Sequence, residues 1–201
     1  MDATTVISTL EELQSYTEQR AAKSPAIASR VLLRSPGLSA DEASRLGRDL
    51  PGLPSTYLDC AERFALETVE LGMVALRPRS LGGDGLLERL VLANGSANPV
   101  AEFLRGQDLY EVASWETDPI GVVRDDSTSG RSGQVVWVDV TSDPSFIVSP
   151  LAPDFATFMV MAGRLYQALH TGASVDEILD GSAVDARQTE SWRALASMAL
   201  E

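Results

Sequence analysis

Apolar residues recur at helical spacing towards both ends of the chain and alternate with polar residues in its middle. Ser39 with Glu42, and Ser174 with Glu177, have the spacing of a capping box, which marks the first turn of a helix. Gly172 follows an apolar-periodic run and has the character of a helix C′ residue. The helices predicted from these signals cover residues 5–22, 40–48, 56–66, 86–93, 99–105, 155–169 and 185–200.

Period-two alternation marks the central third as strand-rich. The predicted strands cover residues 69–75, 109–113, 120–123, 134–140 and 146–148, with a hairpin loop at 125–133. Helices therefore come first, strands interrupted by short helices follow, and helices return. This order predicts an α+β fold with a mixed, mostly antiparallel sheet and flanking helices. We expect an N-terminal helical segment (1–50), an α+β domain (51–172) and a C-terminal helical extension (173–201) packed on the same domain.

The composition narrows the class of protein. The chain has 201 residues, of which 44% are apolar, enough for one core and too many for a disordered chain. Cys60 is the single cysteine, which excludes a disulfide scaffold and fits a reducing compartment. The N-terminal residues have neither a basic region nor a long apolar run, so no secretory signal or membrane span is predicted. We therefore expect a cytoplasmic protein.

The charge of the chain restricts its partners. With 29 acidic and 16 basic residues, the formal net charge is −13, which argues against nucleic-acid binding. Nine of the acids, against three arginines, fall within residues 98–143. This excess is open to two interpretations, an ordinary solvated surface or an acidic face that attracts a basic protein.

The chain carries no complete catalytic or metal-binding motif. His170 is the only histidine and lies at a predicted helix end, which limits both catalytic triads and zinc sites. A calcium-loop pattern begins at Asp125, but its twelfth position is Val136 instead of a bidentate acid. Pairs such as Glu116 and Asp118 arise by chance in so acidic a chain. We therefore expect no enzyme activity, no cofactor and no metal.

Several motifs in order give the chain a family resemblance. The segments 53–58 (LPSTYL), 116–120 (ETDPI), 133–139 (GQVVWVD) and 151–158 (LAPDFATF) follow one another across more than half of the chain. In this order the chain resembles the SUKH superfamily, the Smi/Knr-type proteins that are widespread as bacterial toxin-immunity proteins. It differs from the family pattern in the helix-like stretch 84–105 and in about thirty extra C-terminal residues.

The resemblance implies a mixed sheet surrounded by helices, no catalysis, and tight binding to a cognate toxin. Together with the acidic charge, it predicts an immunity protein that neutralises a secreted antibacterial toxin, a basic effector domain of the nuclease type. Trp115 is a candidate buried anchor, and Trp137, in the middle of a strand, is better explained by core packing. The candidate partner-binding residues are Glu111, Trp115, Glu116, Asp118, Asp125 and Asp126. The alternative is a small-ligand-binding or regulatory module on the same fold, with its pocket between sheet and helices.

Overall fold

A six-stranded antiparallel sheet lies at the centre of the molecule. The computed structural model describes residues 6–79, 82–142 and 146–200. The strands are β1 (Glu70–Leu71), β2 (Val74–Ala75), β3 (Leu109–Trp115), β4 (Asp118–Val123), β5 (Val135–Asp139) and β6 (Ile147–Ala152). They lie in sequence order, and every described pair of neighbours is antiparallel. The α+β class is confirmed.

Helices precede, interrupt and follow the sheet. They are α1 (Leu10–Lys23), α2 (Ala28–Val31), α3 (Ala40–Asp49), α4 (Ser55–Arg63), α5 (Leu86–Gly95), α6 (Pro99–Gly106), α7 (Phe155–Thr171), α8 (Val175–Leu179) and α9 (Ala186–Leu200). Both predicted capping boxes form, because Ser39 and Ser174 accept the N3 amide while the N3 glutamate accepts the cap amide. Gly172 ends α7 in the left-handed conformation. Within the described residues, no helix is long and apolar enough to cross a membrane.

The sequence predictions were wrong at four local points. Residues 69–75 form a hairpin instead of one strand, because Gly72 adopts a φ of +67° between β1 and β2. Pro119, which the sequence predicts as a break before the strand 120–123, lies inside β4 near its first residue, where a missing amide is tolerated. Ser55, which the sequence predicts as the cap of the helix 56–66, is instead the first residue of α4, whose N-cap is Pro54. Asn94-Gly95, which the sequence predicts to end the helix 86–93 in a left-handed turn, lies within α5, since the helix continues through Gly95.

Two apolar layers cover the two faces of the sheet. The larger core lies against α7 and includes Leu13 from α1, Leu46 from α3 and Trp192 from α9. A smaller cluster lies under α6 on the opposite face and contains Leu104, Leu109, Val123, Val136 and Val138. Residues from all three predicted segments thus enter the larger core, while the division at 50 and 172 stays a prediction.

A buried arginine joins the N-terminal residues to the C-terminal part of the chain. Arg164 of α7 is 4% exposed. Its Nε donates to the carbonyl oxygen of Ile7 at 2.5 Å, and its Nη1 donates to those of Ile178 at 3.0 Å and Asp180 at 2.8 Å. These carbonyls replace the hydration that the guanidinium loses on burial. Close packing accompanies this link, since a Cβ on Gly163 would lie 2.5 Å from Leu13 Cδ1.

Candidate functional site

The six predicted partner-binding residues do not form one patch. Strand β4 separates them, with Glu116 and Asp118 at its start and Asp125 and Asp126 beyond its end. Six extended residues span about 17 Å. We call residues 115–118 and 137–142 the turn end of the sheet. Residues 124–134 together with Asp108 form its loop end.

Three of the six residues are buried, which does not fit their predicted role as surface contacts. Trp115 is 3% exposed and belongs to the larger core, so it packs the fold instead of anchoring a partner. Asp118 is 6% exposed and Glu111 is 8% exposed. The sequence pattern could not separate these two carboxylates from exposed ones, because charged residues are mostly found at surfaces.

Asp118 is a structural acceptor at the turn end. Its carboxylate accepts the indole Nε1–H of Trp137 at 3.1 Å and the amide of Val140 at 3.2 Å. Burial raises the pKa of Asp118 despite these two hydrogen bonds, and the charges of Asp139 and Glu116 raise it further. Trp137 is therefore held in the core by its packing and by this bond, as its mid-strand position predicted.

Asp139, also at the turn end, organises the backbone after β5. Burial acts to raise its pKa, but hydrogen bonds from Ser142 and Thr141 outweigh burial and hold the pKa below its usual range. The bonds to its Oδ1 come from the amides of Thr141 at 3.0 Å and Ser142 at 2.9 Å. Asp143, four residues further along the chain, lies outside the described residues.

Glu116 is the exposed acid of the turn end. It adopts a φ of +46°, and its amide donates to the carbonyl oxygen of Met73 at 2.9 Å. The β3–β4 turn is thereby tied to the β1–β2 hairpin, and the carboxylate is presented from a fixed backbone. A glutamate in the left-handed region is uncommon and carries a conformational cost.

The loop end presents two exposed acids from a braced loop. Asp125 donates its amide to the carbonyl oxygen of Gly52 at 2.8 Å, and its carboxylate accepts the hydroxyl of Ser132. Arg124 binds the carboxylate of Asp126 through Nε at 2.8 Å and Nη2 at 2.5 Å. These contacts fix the direction in which both acids face solvent.

Tyr110 anchors the loop end to the N-terminal half of the domain. The Arg124 guanidinium lies 5.2 Å from the centre of the Tyr110 ring, and the Tyr110 hydroxyl donates to the carbonyl oxygen of Pro51 at 2.8 Å. The hydroxyl of Ser127 donates to Asp108 at 3.1 Å, so a third acid joins this surface. The predicted roles of Glu116, Asp125 and Asp126 in partner binding stay predictions.

A cleft between the sheet and the α5–α6 helices contains the third buried candidate. We call it the Glu111 cleft, a cavity of about 410 Å³. Its lining residues are Arg79, Leu92, Ala93, Ser96, Asn98, Val100, Glu111, Thr117, Pro119 and Val140. Burial raises the pKa of Glu111, against a hydrogen bond from the Arg79 amide and the charge of Arg79.

Asn94 positions Glu111 within strand β3. Its Nδ2 donates to the carbonyl oxygens of Leu90 at 2.9 Å and Glu111 at 3.0 Å, and its Oδ1 accepts the Glu111 amide at 2.8 Å. The pairing of β3 with β4 shifts register between Glu111 and Ala113, so the buried amide satisfies backbone groups at a bulge. The Asn-Gly dipeptide predicts a helix stop, and nothing in the sequence indicates this role of the Asn94 side chain.

The single histidine and the single cysteine of the chain, His170 and Cys60, both lie in surroundings that suit a structural role. His170 places Nδ1 2.8 Å from the carbonyl oxygen of Tyr166, one turn earlier in α7. Burial raises the pKa of the Cys60 thiol to about 12, so its thiolate is disfavoured. Across the ranges 6–79, 82–142 and 146–200, no group of three or more histidine, cysteine or acidic side chains is arranged to hold a metal ion.

Comparison with known proteins identified no relative of this chain. Comparisons of the chain with protein-family models, curated proteins and solved structures found no match. Similarity to the SUKH superfamily therefore stays a prediction from the order of the motifs, and a function has to be argued from the residues of this chain.

Proposed function

We propose that the chain is an immunity protein, which binds a cognate antibacterial toxin in the cytoplasm and neutralises it without catalysis. The toxin is a basic effector domain, of the nuclease type, and the acidic surface guides it to the binding site. Opposite charges raise the rate of association, and like-charged molecules are disfavoured as partners. The resemblance to the SUKH superfamily supplies the biological role, and the charge supplies the chemistry of the partner.

The observation that carries this proposal is the fixed presentation of exposed acids at the loop end. Asp125 and Asp126 are exposed, yet their loop is held by Gly52, Ser132 and Arg124. A side chain that is already ordered loses less conformational entropy when a partner binds it. Such a surface suits rapid and specific docking of a rigid basic domain.

Growth rescue tests the proposal directly. The proposal predicts that a toxin domain is encoded beside the gene of this chain, and that domain is expressed in a bacterial host, alone and together with this chain. We expect the toxin to stop growth, the chain to restore it, and the purified pair to elute as a 1:1 complex in gel filtration. Failure of the intact, folded chain to restore growth, with no complex formed, would contradict the proposal.

A variant control separates recognition from expression. Asp125→Lys with Asp126→Lys reverses the loop-end charges, and Asp176→Lys with Glu190→Lys makes the same change in charge on α8 and α9. We expect weaker rescue only from the loop-end variant, at equal levels of folded protein. Equal loss from both variants would mean that overall charge, and not the loop end, attracts the toxin.

The second candidate function is a small-ligand-binding or regulatory module. It is favoured by the Glu111 cleft, which lies between the sheet and the α5–α6 helices and contains a nearly buried carboxylate. Clefts with an apolar lining and a few placed polar groups are the usual form of small-molecule sites.

A further inference from the structure

The Glu111 carboxylate is only half satisfied. Oε1 accepts the amide of Arg79 at 2.8 Å, but no donor from the described part of the chain reaches Oε2. Oε2 is not among the fully buried nitrogen and oxygen atoms without a partner, so it keeps some exposure, and the Glu111 residue lines the cleft. A carboxylate that is 8% exposed and keeps an open acceptor carries a desolvation cost that a bound donor would relieve.

The position of this carboxylate is fixed from the backbone side. The side chain of Asn94 holds both the amide and the carbonyl oxygen of Glu111. Oε1 is held by a backbone amide, which cannot turn away as a flexible side chain could. The open oxygen is therefore presented in one place, and a ligand does not have to order it.

The remaining walls select the shape of a ligand. Leu92, Val100, Pro119 and Val140 give the cleft an apolar lining, and Leu92 is 51% exposed. An alkyl chain fits such walls, while an N–H group at its end would meet Oε2. Ser96, Asn98 and Thr117 add polar atoms to the lining.

Arg79 is the other charged group that lines the cleft. Its Nη1 donates to the carbonyl oxygen of Thr117 at 3.0 Å, and the residue is exposed. Solvent therefore screens its charge more than that of the buried Glu111 carboxylate. With a net charge of −13, the chain as a whole also favours a cation.

We propose that the Glu111 cleft binds a cationic nitrogen group, an alkylammonium or alkylguanidinium, with its N–H donated to Glu111 Oε2 and its alkyl chain against the apolar walls. A charge-assisted hydrogen bond of this kind is stronger than a neutral one. The inference specifies the ligand for the second candidate function. It can fail without affecting the toxin-rescue experiment, and the reverse is also true.

Titration with n-butylammonium, followed by nitrogen–proton NMR, tests the proposal on the full chain. The amide of Arg79 and the side-chain amide of Asn94 report on the site, because both are bonded to Glu111. We expect their signals to shift with a dissociation constant on the order of millimolar, as befits so small a ligand. Absence of any shift at these two groups would overturn the proposal.

Two controls isolate the carboxylate. Glu111→Gln keeps the shape and an oxygen for the Arg79 amide but removes the charge, and we expect at least about tenfold weaker binding. Glu102→Gln makes the same change on the exposed surface of α6 and should bind as the unchanged chain does. Equal binding by all three proteins, or equal binding of neutral 1-butanol, would show that Glu111 does not select a cation and would overturn the proposal.

A second probe identifies the source of the cation. Lysine capped as an acetylated methylamide carries the same butylammonium group on a peptide backbone. If both probes bind and both require Glu111, the cleft can accept a basic side chain from a protein. If only n-butylammonium binds in this way, the source is a free small amine. Both results support the proposal, whereas binding of either probe that survives Glu111→Gln contradicts it.

Discussion

The two ends of the central sheet use acidic residues in opposite ways. At the turn end, Asp118 and Asp139 are nearly buried and accept hydrogen bonds from the indole and backbone groups around them. At the loop end, Asp125 and Asp126 face solvent and are held by their neighbours. Acidic residues close together in the sequence therefore do not define one surface: the loop end exposes both of these acids, whereas at the turn end Glu116 is the exposed one.

The sharpest test of this contrast is the loss of one carboxylate at each end. Asp118→Ala leaves the Trp137 indole and the Val140 amide without an acceptor, and we expect the free energy of unfolding to fall by about 3 kcal/mol. Asp126→Ala removes an exposed pair with Arg124 and should cost less than about 1 kcal/mol. Urea unfolding of both variants measures the difference, and equal losses would mean that the ends do not differ as described.

We expect the side chain of Asn94 to maintain the bulge of β3, which lies between the turn end and the loop end of the sheet. Asn94→Ala removes both bonds to the Glu111 backbone, and we expect a loss of about 2 kcal/mol with faster hydrogen exchange at the Glu111 amide. Asn98→Ala, which removes the cap of α6, is the matched control at about 1 kcal/mol. Unchanged exchange at Glu111 would show that the strands hold the bulge without Asn94.

Association kinetics compare the ends as partner surfaces. With the cognate toxin, Asp125→Lys with Asp126→Lys should slow association about tenfold at low salt, and Glu116→Lys should slow it about threefold. Higher salt should narrow these differences because it screens exposed charges. Stopped-flow measurements over a salt series provide the rates. A larger effect from Glu116→Lys would place the binding surface at the turn end.

The smallest expected effect concerns pH. Burial raises the pKa of Glu111, so the folded protein takes up this proton at a higher pH than the unfolded chain, in which glutamate has a pKa of about 4.3. The unfolding free energy of the unchanged protein, relative to Glu111→Gln, should therefore rise as the pH falls from 7 towards that value. Urea unfolding over this range measures it, and a flat difference would contradict the assigned burial effect.

Glu42 supplies the comparison of opposite sign. Hydrogen bonds from Ser39 lower the pKa of this capping residue, so its contribution to stability is present above its unfolded pKa. Relative to Glu42→Gln, the unchanged protein should lose stability as the pH falls through the lowered folded pKa. Changes of the same sign at Glu111 and Glu42 would show that the pH dependence comes from the overall charge and not from the two sites.

Local signals predicted most of the fold. Capping residues such as Ser39 and Ser174 act within one turn, so the sequence alone identifies them. The antiparallel pairing of β3 to β6 follows from short connections between successive strands. The hairpin at Gly72 was missed because the alternation of apolar residues continues through its turn.

The candidate site was far less predictable. Whether Asp118 or Asp126 is buried depends on what packs against it, and the indole that binds Asp118 lies nineteen residues further along the chain. The Glu111 cleft brings together residues of two helices, α5 and α6, and of two strands, β3 and β4, with Arg79 at its wall and Asn94 behind Glu111. Spacing along the chain carries no information on such contacts. The acidic excess of residues 98–143 was therefore predictable, but the exposed loop end and the Glu111 cleft were not.

The buried guanidinium of Arg164 determines how the molecule could be shortened. An independent appendage could be deleted without removing hydrogen-bond partners from the rest of the molecule. Here, deletion of the N-terminal residues through Ile7, or of the C-terminal residues from Ile178 onwards, would remove carbonyl acceptors from the Arg164 guanidinium. A shortened protein would need a replacement for Arg164 as well as for the lost apolar contacts. The N-terminal and C-terminal parts of the chain thus share one buried cation. Neither part can be replaced by an unrelated sequence unless acceptors for Arg164 are supplied again.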